Sequence, residues 1–229
     1  MHAALGVPLR LAIIDRIGLE DASPGELGTA FDIAPNLLAH HLRVLEDAGL
    51  IRRVRSEGDQ RRTYVQLCLD DPMVAALPGG GTHLAAPRVV FVCTYNSARS
   101  QLAAAAWNGV HSVTATSAGT RPATRVHQQA IATGARHGLR LGRARTADAA
   151  VVLRTGDLVV AVCDGAYEEL TDLNGSALHW AVPDPVRIGT DAAFELAYQE
   201  IVLRVGRLAQ ATTAAPHAAP EPTTRRSTR

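Results

Sequence analysis

The sequence predicts an α/β protein in two parts, an N-terminal winged helix-turn-helix over residues 1–70 and a C-terminal three-layer domain over residues 88–210. Three observations carry this. Two helical stretches joined by a short turn precede an arginine-rich hairpin. Further on, short apolar strands alternate with helical stretches, the pattern of a parallel sheet with helices on both faces. Between the two parts, residues 71–87 hold three consecutive glycines, Gly79 to Gly81, among prolines and alanines, and read as a linker.

The elements follow in order. Pro8 to Gly18 carries apolar residues at helical spacing. Ser23-Pro24-Gly25-Glu26 then supplies an N-cap, a first-turn proline and an acid, opening a second helix that runs to about Phe31. Pro35 opens a third, in which Leu37, Leu38, Leu42 and Leu45 form a buried stripe before the stop at Gly49. The strands that follow turn around Ser56 to Gln60, with Gly58 in the turn, and make a wing. From Arg88 the strands read RVVFVC, SVTATSA, DLVVAV and LHWAV. Residues 211–229 have too few large apolar side chains to offset the cost of ordering and read as a disordered tail.

Composition bounds the function. The chain of 229 residues has 23 basic against 22 acidic residues, so a nucleic-acid partner must be met by a local patch. All the basic residues are arginine, which makes any side-chain anion contact a guanidinium fork. Three widely spaced cysteines, Cys68, Cys93 and Cys163, fit a reducing cytosol better than a disulfide scaffold. Cys68 reads as a small buried hydrophobe. No signal segment or long apolar run appears, so the expectation is a cytoplasmic protein without a membrane partner.

In the N-terminal part, the third helix would enter a major groove with Asn36, His40 and His41 exposed. Arg52, Arg53, Arg55, Arg61 and Arg62 around the wing would meet phosphates. His40 and His41 project about 100° apart on a helix, which disfavours a shared metal ion, and no metal site is expected. Residues 6–70, above all LLAHHLRVLEDAGLIRRVRSEGDQRRTYVQL, resemble the ArsR-like winged-helix regulators. The resemblance implies a double-stranded DNA operator, transcription regulation and a homodimer. The cysteine pair with which many such regulators sense metalloids is missing from ELGTAFDIAP, and the expectation is that the family's N-terminal dimerisation helix is short or absent.

The C-terminal part carries the chemistry. A strand ends at Cys93, and Thr94, Tyr95, Asn96, Ser97 and Ala98 intervene before Arg99 and an alanine-rich helix. Such a loop aims amide hydrogens and a helix N-terminus at an oxyanion, while a guanidinium closes it. The same dipoles favour a thiolate nucleophile. A Cys-x5-Arg spacing alone is weak; its place between strand and helix, with Asn96 to brace the loop and Ser100 to donate to the sulfur, gives it weight. Downstream, the strand LHWAV runs into Pro183-Asp184-Pro185, putting a carboxylate at the edge where open parallel sheets bind ligands. Asp184 can serve there as a general acid, or simply start a turn.

Residues 88–208 resemble the low-molecular-weight protein tyrosine phosphatase superfamily, which includes a class of arsenate reductases. The resemblance implies a four-stranded parallel sheet of flavodoxin-like order, Cys93 as nucleophile, Arg99 as anion clamp, Asp184 as acid, and loop support from Asn96, Ser100 and Ser117. DPVRIG stands where family phosphatases carry tyrosines after the Asp-Pro pair, so a small tetrahedral anion such as arsenate suits the site better than a phosphotyrosine. Tyr95 keeps a phosphatase reading open. Cys163 occupies the position of a resolving thiol in thioredoxin-linked reductases, but Leu170 replaces the further cysteine of those enzymes. The expectation is no bound cofactor and an external thiol reductant, a small thiol or redoxin. A buried Cys163 that only fills space and a non-catalytic oxyanion-sensing transcription factor remain the alternatives.

Overall fold

The computed structural model describes residues 2–77, 81–172 and 177–215. The N-terminal part comprises α1 (His2–Leu5), α2 (Pro8–Arg16), α3 (Pro24–Phe31), α4 (Pro35–Asp47), β1 (Ile51–Arg55) and β2 (Thr63–Leu67). Helix α3 starts as the sequence demands. Ser23 Oγ accepts from the Glu26 amide at 3.2 Å, and the Ser23 amide donates to Glu26 Oε2 at 2.6 Å. Leu38, Leu42 and Leu45 of α4 are buried against Ile13, Ile14 and Leu27, but Leu37 is 46% exposed. It lies on the outer face of α4, one position off the buried stripe.

Strands β1 and β2 pair antiparallel, Ile51 opposite Leu67 and Arg55 opposite Thr63. A wing strand should alternate in burial, yet Tyr64, Val65, Gln66 and Leu67 are all buried. Val65 and Leu67 face the helices; Tyr64 and Gln66 face the C-terminal domain, where Gln66 Nε2 donates to Ala181 O at 3.1 Å.

Next come α5 (Pro72–Ala75) and β3 (Leu84–Ala86), then β4 (Val89–Cys93), α6 (Arg99–Asn108), β5 (Ala115–Gly119), α7 (Gln128–Arg136), α8 (Ala149–Val152) and β6 (Leu158–Ala161). The chain continues with α9 (Asp164–Asp172), β7 (Leu178–His179), α10 (Pro185–Ile188), α11 (Asp191–Ala211) and β8 (Thr212–Ala214). The main sheet is parallel, in the order β5-β4-β6-β7, as expected for a flavodoxin-like domain. All five residues of the central β4 are buried, and α6 can lie close to it because its run of alanines takes little room.

Two segments differ from the sequence reading. The stretch expected to be a linker contains α5 and β3, and β3 pairs in parallel with β8, which lies at the start of the stretch expected to be disordered. Backbone hydrogen bonding and the buried Thr212, whose Oγ1 donates to Leu208 O at 2.7 Å, order residues that composition alone would leave loose. Gly79, Gly80 and residues 216–229 lie outside the described residues. The two domains share a polar seam. Asp21 accepts from Arg204 (2.9 Å), Gln66 (2.8 Å) and the Ala181 amide (2.7 Å), and Trp180 Nε1 donates to Leu19 O at 2.8 Å. Among the described residues no helix is long and apolar enough to cross a membrane.

Candidate active site

The end of β4 delivers Cys93 to the carboxyl edge of the sheet, and the chain turns through residues 94–98 into α6. Asn96 makes the turn possible. Its φ of 49° is a left-handed conformation that asparagine tolerates better than most residues. Its Oδ1 accepts from the Ala147 amide (2.9 Å) and Gln101 Nε2 (3.1 Å), which points Nδ2 at Ser100 Oγ, 2.8 Å away. Ser100 Oγ, accepting from Asn96, is free to donate to Cys93 Sγ at 3.1 Å. The Asn96 amide donates to the same sulfur at 3.1 Å. Two donors therefore converge on one thiol. The amides of Tyr95, Ser97 and Ala98 meet no protein acceptor among the described residues, which leaves them for an anion.

Arg99 is buried and lies across the loop. Its NH1 donates to Val182 O at 2.8 Å, and its NH2 lies 3.3 Å from Asp184 Oδ2. Burial works against its charge, but the surrounding acids Cys163, Asp184, Cys93 and Glu57 raise its pKa. Asp184 caps α10, its Oδ1 accepting from the Val186 amide at 3.1 Å. Cys163, at the end of the neighbouring strand, is buried with its sulfur 3.5 Å from Thr94 Oγ1. Burial pushes the Cys163 thiol up, and Cys93 adds to the shift against the opposing pull of Arg99. These groups border a cavity of about 200 Å³ lined by Thr94, Arg99, Cys163 and Asp184, with Tyr95 and Arg187 at its sides.

The support from β5 is not where the resemblance put it. Ser117 sits opposite Phe91, two residues short of the loop, and its hydroxyl makes no hydrogen bond among the described residues. Gly119 does the bracing. A Cβ there would lie 2.8 Å from Thr94 O and 3.0 Å from the Asn96 amide, so only glycine allows the approach. Sequence reasoning also missed Gln101 and Glu57. The SAGT segment held the signal for Gly119; nothing local marked Glu57, a wing residue that reaches the site from the other domain. Its carboxylate accepts from the Asp184 amide (3.0 Å) and from Arg187 (2.8 Å), and lies 3.5 Å from Arg99 NH1.

The family model for low molecular weight phosphotyrosine protein phosphatases matches residues 88–216. The chain belongs to this family. Its fold is similar to that of the tyrosine phosphatase Wzb from Escherichia coli K30, solved with sulphate. The two are 21% identical over 55% of this chain and 97% of that one, with a TM-score of 0.50. Vibrio vulnificus Wzb in complex with benzylphosphonate gives 20% identity over 55% and 99% of the two chains and the same TM-score, 0.50. An arsenate reductase from Archaeoglobus fulgidus matches at 26% identity over 53% and 98%, with a TM-score of 0.45. The family is one of enzymes, and the segment from Cys93 to Arg99 is the candidate for its cysteine-containing loop.

A helix-turn-helix domain matches residues 5–54. On α4, Asn36 and His40 are exposed, together with Leu37 and Arg43, the last not anticipated from the sequence. His41 is half-buried and turned inward. Its Nδ1 is buried without a partner among the described residues, and burial together with His40 and Arg10 lowers its pKa. Strand alternation divides the wing arginines. Arg53 and Arg55 are exposed, whereas Arg52 faces α11 and pairs with Glu200 (3.4 Å) and Asp70 (3.2 Å), which removes it from a DNA-facing role. Arg53 pairs with Glu46 at 3.4 Å, and Arg61 and Arg62 both lie on Asp59, at 2.9 and 3.7 Å. Arg55 has no acidic partner among the described residues.

Proposed function

We propose that the chain is a DNA-binding transcriptional regulator fused to a cysteine-dependent arsenate reductase, converting arsenate to arsenite in an arsenic-resistance system. The observation that carries this reading is the second thiol: Cys163 borders the same small cavity as Arg99 and as Thr94, the residue that follows Cys93 in the loop, and a phosphatase needs only one. The loop amides and Arg99 hold the oxyanion. Cys93 attacks arsenic, a thiolate sulfur–arsenic bond forms, and an oxygen leaves as water after protonation by Asp184. A second thiol then attacks the Cys93 sulfur. A disulfide forms, the sulfur–arsenic bond breaks, and its electron pair leaves with arsenic as arsenite. Cys163 supplies that thiol, and an external small thiol or redoxin restores both cysteines.

The alternative with an observation behind it is phosphatase action, since Tyr95 is half exposed at the side of the cavity and offers one aromatic wall. Arsenate reduction and aryl phosphate hydrolysis, measured side by side for wild type, Cys93→Ser and Cys163→Ser, separate the two. The expected result is arsenite formation lost in Cys93→Ser and reduced at least about tenfold in Cys163→Ser. Aryl phosphate turnover without any arsenite under several thiol donors would establish the phosphatase instead.

A further inference from the structure

We infer that the wing is a removable wall of the active site: its Glu57 carboxylate occupies the Arg99 guanidinium that an incoming oxyanion uses, so that anion capture and wing attachment compete. The inference rests on the oxyanion-site reading above and adds a link from that site to the DNA-binding domain.

The wing tip is held in place by specific contacts. The Glu57 amide donates to Asp164 Oδ2 at 2.7 Å, the Asp59 amide to Glu168 Oε2 at 2.9 Å, and Ser56 Oγ to Glu168 Oε1 at 2.8 Å. Gly58 lets the turn come this close, since a Cβ there would lie 2.3 Å from Glu168 Oε2. The tip thus carries Glu57 onto Arg187 and the Asp184 amide at the rim, with Arg99 NH1 3.5 Å away. A carboxylate at the tip of a wing is poorly placed for duplex DNA, because it repels phosphates. As a ligand of two arginines at the mouth of an anion cavity it has a clear electrostatic partner.

A doubly charged oxyanion entering the cavity meets two carboxylates already turned to Arg99, those of Glu57 and Asp184. Asp184 stays at the site as the acid of the proposed reaction. Glu57 has no such part in the reaction, so repulsion and loss of its share of Arg99 fall on the wing contact. Ser56 to Asp59 cannot hold the active-site rim and lie along a duplex at the same time. By linkage, whatever the anion does to the wing, engagement of the wing elsewhere does to anion affinity.

The test is hydrogen exchange on the full chain at the Glu57 and Asp59 amides, without anion and with saturating inorganic arsenate or phosphate, binding being followed by calorimetry. Exchange at both amides should rise several-fold on saturation. In Glu57→Gln, anion affinity should rise about 2–5-fold, the range of a partly exposed ion pair, and the wing amides should exchange faster without anion. Unchanged or slower wing exchange at saturation, measured on the wild type and so independent of any variant's folding, overturns the inference alone. Absence of anion binding overturns it together with the oxyanion-site reading.

Discussion

Asn96 fixes the shape of the loop through geometry before any charge is considered. A residue at φ 49°, fully buried, with its side-chain amide tied to Ala147, Gln101 and Ser100, fixes which way the Ser100 hydroxyl points. Asn96→Ala would place an ordinary residue in the left-handed region and strand the Ala147 amide. A loss of about 2–4 kcal/mol is expected from those two effects, read as a lower urea midpoint, and turnover should fall further than stability because Ser100 is no longer oriented. Unchanged turnover would show that the Ser100 hydroxyl does not act on Cys93. At the same scale, Arg55 and Arg43 are the side chains best placed for phosphate contacts. Replacing either with Ala should weaken DNA binding of all sequences alike and lower the salt dependence by about one counterion, measured by binding titrations at several salt concentrations.

Among the elements, α3 joins the two domains as well as belonging to the helix-turn-helix. Glu26 closes the cap of α3 and accepts from the Tyr167 hydroxyl at 2.6 Å. Burial opposes its ionisation, but the bonds from Tyr167 and Ser23 hold its pKa below the usual carboxylate value. A carboxylate depressed in the folded state stabilises fully above its unfolded pKa and loses that contribution as pH falls through the folded one. The thermal midpoints of wild type and Glu26→Gln should therefore differ at pH 7 and converge below about pH 4, and a gap independent of pH would contradict the assignment. Ser23→Ala should cost about 1 kcal/mol through the same cap.

The elements also show what a sequence exposes to reading. The cap at Ser23, the loop between Cys93 and Arg99, and the four parallel strands are local patterns, set by residues a few positions apart, and each stands where the pattern put it, save that only Leu178 and His179 of LHWAV are in a strand. Leu37, Arg52 and His41 have surroundings other than the sequence predicts, because period and charge say what a face is like but not which neighbour covers it. The β3-β8 pair joins residues 84–86 to 212–214 through backbone bonds that composition does not encode. Glu57 reaches the active site across the domain seam, so no spacing along the chain could reveal it.

At the scale of the whole molecule, the two domains are joined by buried polar contacts and not merely tethered. Asp21 and Arg204 are both almost fully buried and bonded at 2.9 Å. Removing Asp21 leaves Arg204 paired with Glu200 alone, at 3.0 Å, and takes the acceptor from the Ala181 amide, so Asp21→Ala should cost about 1–3 kcal/mol. The wild-type chain should melt in one calorimetric transition, and two well-separated transitions would show the seam to be weak. The most direct test of the central claim, that Cys93 and Cys163 form one redox site around an oxyanion, is peptide mapping after a single turnover with arsenate and no added thiol. The account expects one equivalent of arsenite per chain and a disulfide joining Cys93 to Cys163. Arsenate left unconverted, with both thiols still free, would contradict it.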